Sequence, residues 1–521
     1  MSALSKTQKT IKHVIETSGG VVASQHRQAA EAGAEVLRAG GDAVDAAVAT
    51  SFVVGVLEPW MSGPAGGGAA VHWRAETGEA VAINFGMRSP RNLNVADYPL
   101  SGEGKASDLF PWERVKDDRN VEGATAIAVP GTVDGIGQAH QRWGRMPWAE
   151  LLAPAVTHAR EGMLVDWFAA LLISSVARNL AKDPDAAALF LDDGTWPKGS
   201  GWTAIPENRL DQSAMADMLE ALAHGGARAF YEGDIAQALA GDVQAKGGCL
   251  SAQDLSGYRA WMGAAQPVAY RDALFHVLPG LTAGPTFERV MEQLREADLS
   301  TPAQAYPAYA RALDQAYAER LGKMGDTGEV PEAPGCTTHF SIVDRVGNMV
   351  SNTQTLLSAF GSRVVSPSTG LLMNNGIMWF DPEQGKPNSL APNKACLMNV
   401  CPVIGSQGAR HFALGASGGR KIVSAVGQLA SFITDSGFDI GQAFHAPRID
   451  VSGGGNIIAD ETLPQDVIAA LGDVMPVQTT RRTVMPYAFA CPAGVMRNGT
   501  QNSGCTEIMS PWGDTAHEDN P

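Results

Sequence analysis

Residues 42–57, DAVDAAVATSFVVGVL, set the first constraint on this chain. The run is rich in alanine and valine, and wound into a helix it is apolar on nearly every side. Such a helix has to be enclosed by other layers, because it has no polar face to turn to water. Asp42 stands where an N-cap is needed. Gly40-Gly41 stop a preceding helix expected over 28–38, with Ala32, Val36 and Leu37 on one face. A strand is expected before these helices, at 20–24. Two more are expected after them, AAVHW and 81–85, joined across 76–78 as a hairpin and entered through the glycine-rich turn SGPAGGG at 62–68.

The middle of the chain reads as helical, over 133–143, 148–161, 168–181, 212–223 and 234–246. Strands return at 266–270 and 274–278, followed by helices at 286–297 and 307–322. From Thr338 onward strands dominate: FSIVD, NMVSNTQT, GLLMNN and ARHFALG. A helix follows at 421–434, and the polar tail beyond Asp514 reads as frayed. The 521 residues would by length alone suggest three or four domains. Strand-rich regions at both ends of the chain argue instead for one layered unit built jointly from both ends.

Composition excludes some functions. A net charge of −16 argues against a nucleic-acid partner and against an anionic membrane surface. The six cysteines, Cys249, Cys336, Cys396, Cys401, Cys491 and Cys505, are scattered without a CxxC pair, so free thiols in a reducing compartment are expected. No histidine spacing suggests a metal site, and no metal or other cofactor is expected. The N-terminal MSALSKTQKTIKHVIETSGG has no apolar core of a secretory signal, and no run is long and apolar enough to span a bilayer. The expectation is a cytoplasmic protein with no membrane partner.

Two segments could carry chemistry. Gly415-Ala416-Ser417-Gly418-Gly419 matches G-x-S-x-G between an expected strand and an expected helix, the setting of a nucleophile elbow. His445 and Asp450 follow as partners for Ser417, in the reverse of the usual acid-then-histidine order. The alternative is that the glycines bring backbone N–H groups close to a ligand at a helix N-terminus, as an oxyanion hole requires. The second segment is EVPEAPGC followed by TTHFSIVD. A threonine hydroxyl is a weak nucleophile, but cutting the peptide bond before it frees its own α-amine to act as base. That needs a loop before the threonine and a strand after it, and both are present. A surface hairpin with exposed threonines is the other reading of the same pattern.

The segment TTHFSIVDRVGNMVSNTQT closely resembles the start of the small subunit of γ-glutamyltransferases, which are N-terminal nucleophile (Ntn) hydrolases. VVASQHRQAAEAGAEVLRAGGDAVDAAVATSFVVGVLEP, SGPAGGGAAVHW, AVPGTVDGIGQAHQRWGRMPWAELLAPAV, FYEGDIAQAL, GLLMNN, PNSLAP and LGASGGRKIVSAV are similar to family segments in the same order, from Gly19 to Asp450. The resemblance implies an α+β, four-layer αββα sandwich. It implies a self-cleavage between Cys336 and Thr337, giving a large subunit of residues 1–336 and a small one of 337–521 that together form one domain. Thr337 corresponds to the family nucleophile and Thr355 to the second threonine, whose hydroxyl holds the Thr337 amine. Gly418 and Gly419 correspond to the oxyanion-hole glycines. A homodimer of the processed pair remains open.

The family's grip on a γ-glutamyl group is altered. Gly86 stands where the family has its carboxylate-binding arginine, with Arg88 two residues on. Leu357 replaces an asparagine. Asn375 is kept, but Gly376 and Trp379 replace the groups that hold the substrate's ammonium, and Met398-Asn399 replace a serine pair. A buried ammonium without partners costs several kcal/mol, so efficient cleavage of glutathione is not expected. The replacements Leu357, Trp379 and Met398 suggest a more apolar acyl pocket, with Asn399 and Arg88 as polar handles and Asn375 and Ser417 as further substrate-binding candidates. The expected function is acyl transfer from a small carboxylic amide to water, resembling the acylase and amidohydrolase branch of the family. The alternatives are a γ-glutamyltransferase with a rearranged clamp, an uncleaved silent homologue, and a Ser417 hydrolase.

Overall fold

The computed structural model describes residues 10–106, 112–199, 207–324, 335–485 and 487–519. The first nine residues of the N-terminal segment and residues 329–334 of the loop before Thr337 lie outside them. Fourteen strands build two sheets. In chain order they are β1 (Ile15–Thr17), β2 (Val21–Ser24), β3 (Gly67–Arg74), β4 (Glu79–Asn84), β5 (Trp261–Ala264), β6 (Gln266–Tyr270), β7 (Ala273–Val277), β8 (Gly335–Val343), β9 (Met349–Ser358), β10 (Val403–Gln407), β11 (Arg410–Ser417), β12 (Cys491–Asn498), β13 (Gln501–Thr506) and β14 (Asp514–His517). One sheet runs β14-β2-β8-β9-β3-β4-β5 and the other β1-β13-β12-β11-β10-β7-β6. Both are antiparallel throughout.

The longer helices are α1 (Arg27–Arg38), α2 (Ala43–Leu57), α3 (Thr132–Trp143), α4 (Trp148–Glu161), α5 (Trp167–Leu180), α6 (Ser213–Gly225), α7 (Asp234–Ala245), α8 (Gly284–Leu294), α9 (Pro302–Met324) and α10 (Lys421–Thr434). Three apolar cores divide the layers. Val22, Phe340, Ile342 and Val350 pack against α1–α4, α6 and α7. Val21, Val71 and Val343 of one sheet meet Ile404, Ala413 and Val495 of the other. Phe275, Val403, Phe412 and Leu414 pack against α8, α9 and α10. The alternation along each strand, one face to helices and one to the opposite sheet, thus yields four layers, αββα.

Helix α2 is buried along its whole length and begins with a capping box between Asp42 and Asp45. The hairpin of β3 and β4 pairs Ala69 with Asn84 through Arg74 with Glu79. Glycines let β3 lie close to β9: a Cβ on Gly68 would stand 2.1 Å from the Thr353 carbonyl oxygen. Some elements differ from the sequence reading. GLLMNN forms only an isolated bridge between Val365 and Leu372. There the Asn374 amide bonds the carbonyls of Ala65 and Ala128 in place of a ladder. Helix α9 starts at Pro302 and carries Pro307 inside it. A proline this near the N-terminus removes a single early hydrogen bond and is tolerated. Strands β12 and β13 have no counterpart in the sequence reading. Within the described residues, up to 519, the tail beyond Asp514 is not frayed but pairs as β14 with β2, and Arg345 binds Glu518 and Asp519 behind it.

Helix α2 ends at Glu58, whose N–H bonds the Val54 carbonyl and whose side chain is 3% exposed. Its carboxylate oxygen accepts from the Thr338 hydroxyl at 2.9 Å. Burial pushes the Glu58 carboxyl up to about 8 from its ordinary 4.5. A raised acid favours folding most below its unfolded value, and that advantage is lost as pH rises through the folded value. Wild type should therefore lose stability relative to Glu58→Gln steadily between about pH 4.5 and about pH 8. Denaturant midpoints of both proteins at several pH values check this.

Candidate active site

The strand β8 alternates between the two faces of its sheet. Phe340 and Ile342 enter the helix-facing core, while Val343 enters the core between the sheets. His339 faces the opposite sheet, its ring within 2.2 Å of where a Cβ on Gly415 would lie. Ser341 on the same face reaches the Ala493 carbonyl of β12. Thr337 shares this inward parity and Thr338 the other. The turn after β8 is held by Asp344, whose carboxylate accepts the N–H groups of Val346, Gly347 and Asn348. Gly347 supplies its positive φ of 98°.

Pairing of β8 with β9 is dislocated at Thr337. Cys336 faces Leu357 and Thr338 faces Gln354, so Thr355 and Leu356 together oppose the single Thr337. This is a β-bulge, which re-aims side chains by inserting one residue. Leu357, just past it, has φ 89°, a conformation strained for a residue with a Cβ. Within the bulge the Thr337 hydroxyl donates to the Thr355 hydroxyl at 3.4 Å, and Thr355 Oγ1 accepts the Leu357 N–H at 2.8 Å. Both threonines are buried, at 5% and 1% exposure. Across the sheet Thr355 pairs with Gly67. A Cβ on Gly66 would stand 2.5 Å from the Thr355 carbonyl oxygen, so only glycine allows this approach.

Gly418 and Gly419 follow β11 with φ of 133° and 58° and lead into α10. Their carbonyls accept the N–H groups of Lys421 and Ile422, while no acceptor among the described residues takes the N–H of either glycine. The pair therefore offers two unengaged donors at a helix N-terminus. Ser417 donates to Gln25 Oε1 at 2.9 Å. Gln25 is in turn bonded to the Cys491 carbonyl. His445 bonds the Gly441 carbonyl and the Lys12 N–H. No histidine or carboxylate reaches Ser417 among the described residues, so the structure does not assemble a serine triad around it.

The residues read as a substrate pocket separate into three groups. Leu357, Trp379 and Met398 lie in one apolar cluster with Met87, Ile377, Met378 and Cys396. Gly86 belongs with them by shape: a Cβ there would sit 2.7 Å from Met398 Cε, so the methionine fills space that a side chain at 86 would take. Gly376 is closed in the same way, with Ala128 Cβ at 2.7 Å and Met87 Sδ at 3.0 Å. Asn375 is engaged by the scaffold: its amide bonds the Val121 carbonyl and the Ser358 hydroxyl, and its oxygen accepts the Ser358 N–H. Arg88 points elsewhere, donating to the Asn393 carbonyl and lining a separate cavity of about 220 Å³ with Arg91, Tyr258 and Arg259. A cleft of about 300 Å³ is floored by Gly86, Met87 and Cys396 and rimmed by Trp261 and Leu281.

Some neighbours were missed in the sequence. Buried Arg320 on α9 donates to the carbonyls of Thr282 and Met398, the Thr286 hydroxyl and Asn399 Oδ1. Burial lowers its guanidinium to about 10. It fixes the Met398–Asn399 segment, and Asn399 Nδ2 is buried without a partner among the described residues. Glu58 and Gln354 were missed as well. Glu58 carried a usable signal, being the only Asp, Glu, Lys or Arg between Asp45 and Arg74. A lone acid in so apolar a run is a buried acid with a task.

The chain has known relatives. The family model for gamma-glutamyltranspeptidase matches residues 29–335 and 327–506. The Acylase ACY 1 proenzyme of Pseudomonas sp. (strain V22) is 33% identical over 495 residues, covering 87% of this chain and 86% of its own. The glutathione hydrolase proenzyme of Bacillus subtilis (strain 168) is 28% identical, covering 89% and 86%. Among solved structures, cephalosporin acylase from Bacillus halodurans superposes with a TM-score of 0.83 at 23% identity over 100% of this chain and 99% of its own. It shares the fold, which is the αββα fold of Ntn hydrolases. The chain belongs to the gamma-glutamyltranspeptidase family.

Proposed function

We propose that this protein is a self-cleaving threonine amidohydrolase that forms an acyl-enzyme on Thr337 and releases the acyl group to water. The observation that carries the reading is the pair of hydroxyls, Thr337 and Thr355, buried together at a bulge directly after the Cys336–Thr337 bond. The bulge re-aims the chain at that bond, and the strained Leu357 pairs with Cys336 across the ladder. The proenzyme names of the relatives support the same reading.

In the uncut chain the Thr337 hydroxyl adds to the Cys336 carbonyl carbon. The C–N bond breaks as the nitrogen takes a proton, which frees the Thr337 α-amine, and water hydrolyses the resulting ester, restoring the Thr337 hydroxyl and leaving a carboxylate on Cys336. That amine then accepts the hydroxyl proton when Thr337 attacks a substrate amide. The Gly418 and Gly419 N–H groups stabilise the oxyanion, the leaving amine takes the proton, and water completes the cycle. The long Thr337–Thr355 contact belongs to the uncut state, and such contacts commonly tighten once substrate is bound.

Leu357, Trp379, Met398 and Met87 make the acyl side apolar, and Gly86 and Gly376 have no room for the charged groups that would grip a γ-glutamyl substrate. The preferred substrate is therefore an amide whose acyl group carries no α-ammonium. The cleft with Trp261 and Leu281 at its lip touches the same apolar cluster through Met87 and Cys396.

Mass spectrometry of purified wild type should show two fragments divided before Thr337, and Thr337→Ala one intact chain; a wild type that stays uncut on long incubation rejects the mechanism. In a panel of p-nitroanilides, simple aliphatic acyl groups should exceed γ-glutamyl in kcat/KM by about a hundredfold or more, as loss of a polar grip implies. Gly418→Ala places a Cβ 3.0 Å from Ala490 at a positive φ. By displacing an oxyanion donor it should lower kcat by about a hundredfold.

A further inference from the structure

Glu58 is a buried acid that the mechanism above does not use. It sits where α2 ends, its carbonyl accepting the N–H groups of Met61 and Ser62. Its side chain accepts from the Thr338 hydroxyl at 2.9 Å and pairs with no Arg, Lys or His among the described residues. Thr338 is the residue after the nucleophile and points to the opposite face. Its partner across the ladder is Gln354, and Gln354 is also pinned to α2 and the turn after it. It accepts from the Ser51 hydroxyl at 2.7 Å and donates to the Ser51 carbonyl and the Ser62 hydroxyl. The first residue pair inside the bulge is thus clamped from below by one helix end.

This arrangement matters most after cleavage. Before it, Thr337 is tethered on both sides, with Gly335 and Cys336 paired to Ser358 and Leu357. Once the Cys336–Thr337 bond is cut, that upstream tether is gone. Besides the contact of Thr337 with Thr355, the next anchors along the strand are the Thr338–Gln354 pair and the side chains that hold it. We propose that Glu58 is a positioning residue for Thr337: through the Thr338 hydroxyl it fixes the end of β8 that carries the freed nucleophile. The inference rests on the cleavage reading given above.

The working form of Glu58 is the neutral acid. A carboxylate with one hydroxyl partner and no cation is costly in an apolar site, and burial holds this carboxyl up at about 8. The groups around it do not offset the charge. The Cys491 thiol from β12 is itself raised by burial and by Glu58. His26 meets Trp512 edge-on, Trp512 is tilted against Trp60, and burial lowers the imidazole to about 3, so it is neutral. Arg448 acts on Cys491 and is paired with Glu507. Ionisation of Glu58 places an unbalanced charge under the strand end and loosens it. Reactivity of Thr337 should then rise as its α-amine loses its proton and fall again as Glu58 ionises.

The test needs no knowledge of the natural amide. Processed wild type, Glu58→Gln, Glu58→Ala, Thr338→Val and Thr338→Ser are treated with phenylmethanesulfonyl fluoride from about pH 6 to about pH 9.5, spanning both ionisations. Intact-mass analysis follows sulfonylation of the small fragment at Thr337, in which the oxygen–sulfur bond forms and fluoride leaves. The ratio of the Glu58→Gln rate to the wild-type rate should rise at least about fivefold from the acid to the alkaline end, because glutamine keeps the hydrogen bond and cannot ionise. Glu58→Ala and Thr338→Val should label about tenfold more slowly than wild type at the optimum, as a displaced nucleophile does, with Thr338→Ser restoring the rate. Coincident pH profiles for wild type and Glu58→Gln overturn the role of Glu58 alone. Failure of wild type to yield two fragments overturns the proposed function and this inference with it.

Discussion

Everything at the site depends on how β8 pairs with β9. An antiparallel ladder alternates its side chains strictly, so a regular register would place Thr337 opposite one residue of β9 and leave the strand smooth. The dislocation gives it two, Thr355 and Leu356, and bends the ladder where the chain enters the sheet. The same dislocation forces Leu357 into a positive φ and turns its N–H onto the Thr355 hydroxyl. The bulge is tolerated because the rest of the ladder is deeply embedded: every residue of β9 is buried, and Gly66 and Gly68 bring the start of β3 close against its carbonyls. A strained peptide persists only where its surroundings over-determine it, and here glycine backbone on one side and α2 beneath supply that constraint.

The departures from the family's substrate grip gain meaning as pairs. Gly86 alone looks like a lost arginine, and Met398 alone like a lost serine. Together they are one packing solution, since the methionine tip fills the volume that a side chain at 86 would need. Gly376 stands in the same relation to Met87 and Ala128. Such coupled positions are not independent in their effects on stability or binding. Reversing one of them therefore creates a clash or a hole before it creates a new contact.

Much of this was legible in the sequence because it is local. The enclosed helix over 43–57 announced itself by having no polar face, and the strand after Thr337 by its alternation. The glycines after Ser417 showed by their setting between strand and helix that backbone donors would be exposed there. What was not legible depends on partners far along the chain. The bulge is a property of two strands in register and cannot be seen in either one. Arg88 reads as a substitute for a missing arginine until Asn393 and Tyr258 are seen around it. Asn375 reads as a substrate ligand until its amide is found bonded to Val121 and Ser358. β12 and β13 are short of large apolar residues because they lie in a tight layer where glycine and alanine fit. β14 is polar, and it is ordered only because β2, from the opposite end of the chain, offers it an edge.

That last pairing bears on what holds a divided chain together. In the first sheet β2 lies between β14 and β8, so a strand from before Thr337 is flanked on both sides by strands from after it, while β3 flanks β9. In the second sheet β1 closes one edge against β13, and β7 docks on β10. The two halves alternate like the fingers of clasped hands. If the chain is cut before Thr337, no plane exists along which the pieces could slide apart, and releasing either one would mean stripping interior strands from both sheets. Separation and unfolding would be the same event, so the break could free one amine at the site without loosening the scaffold around it.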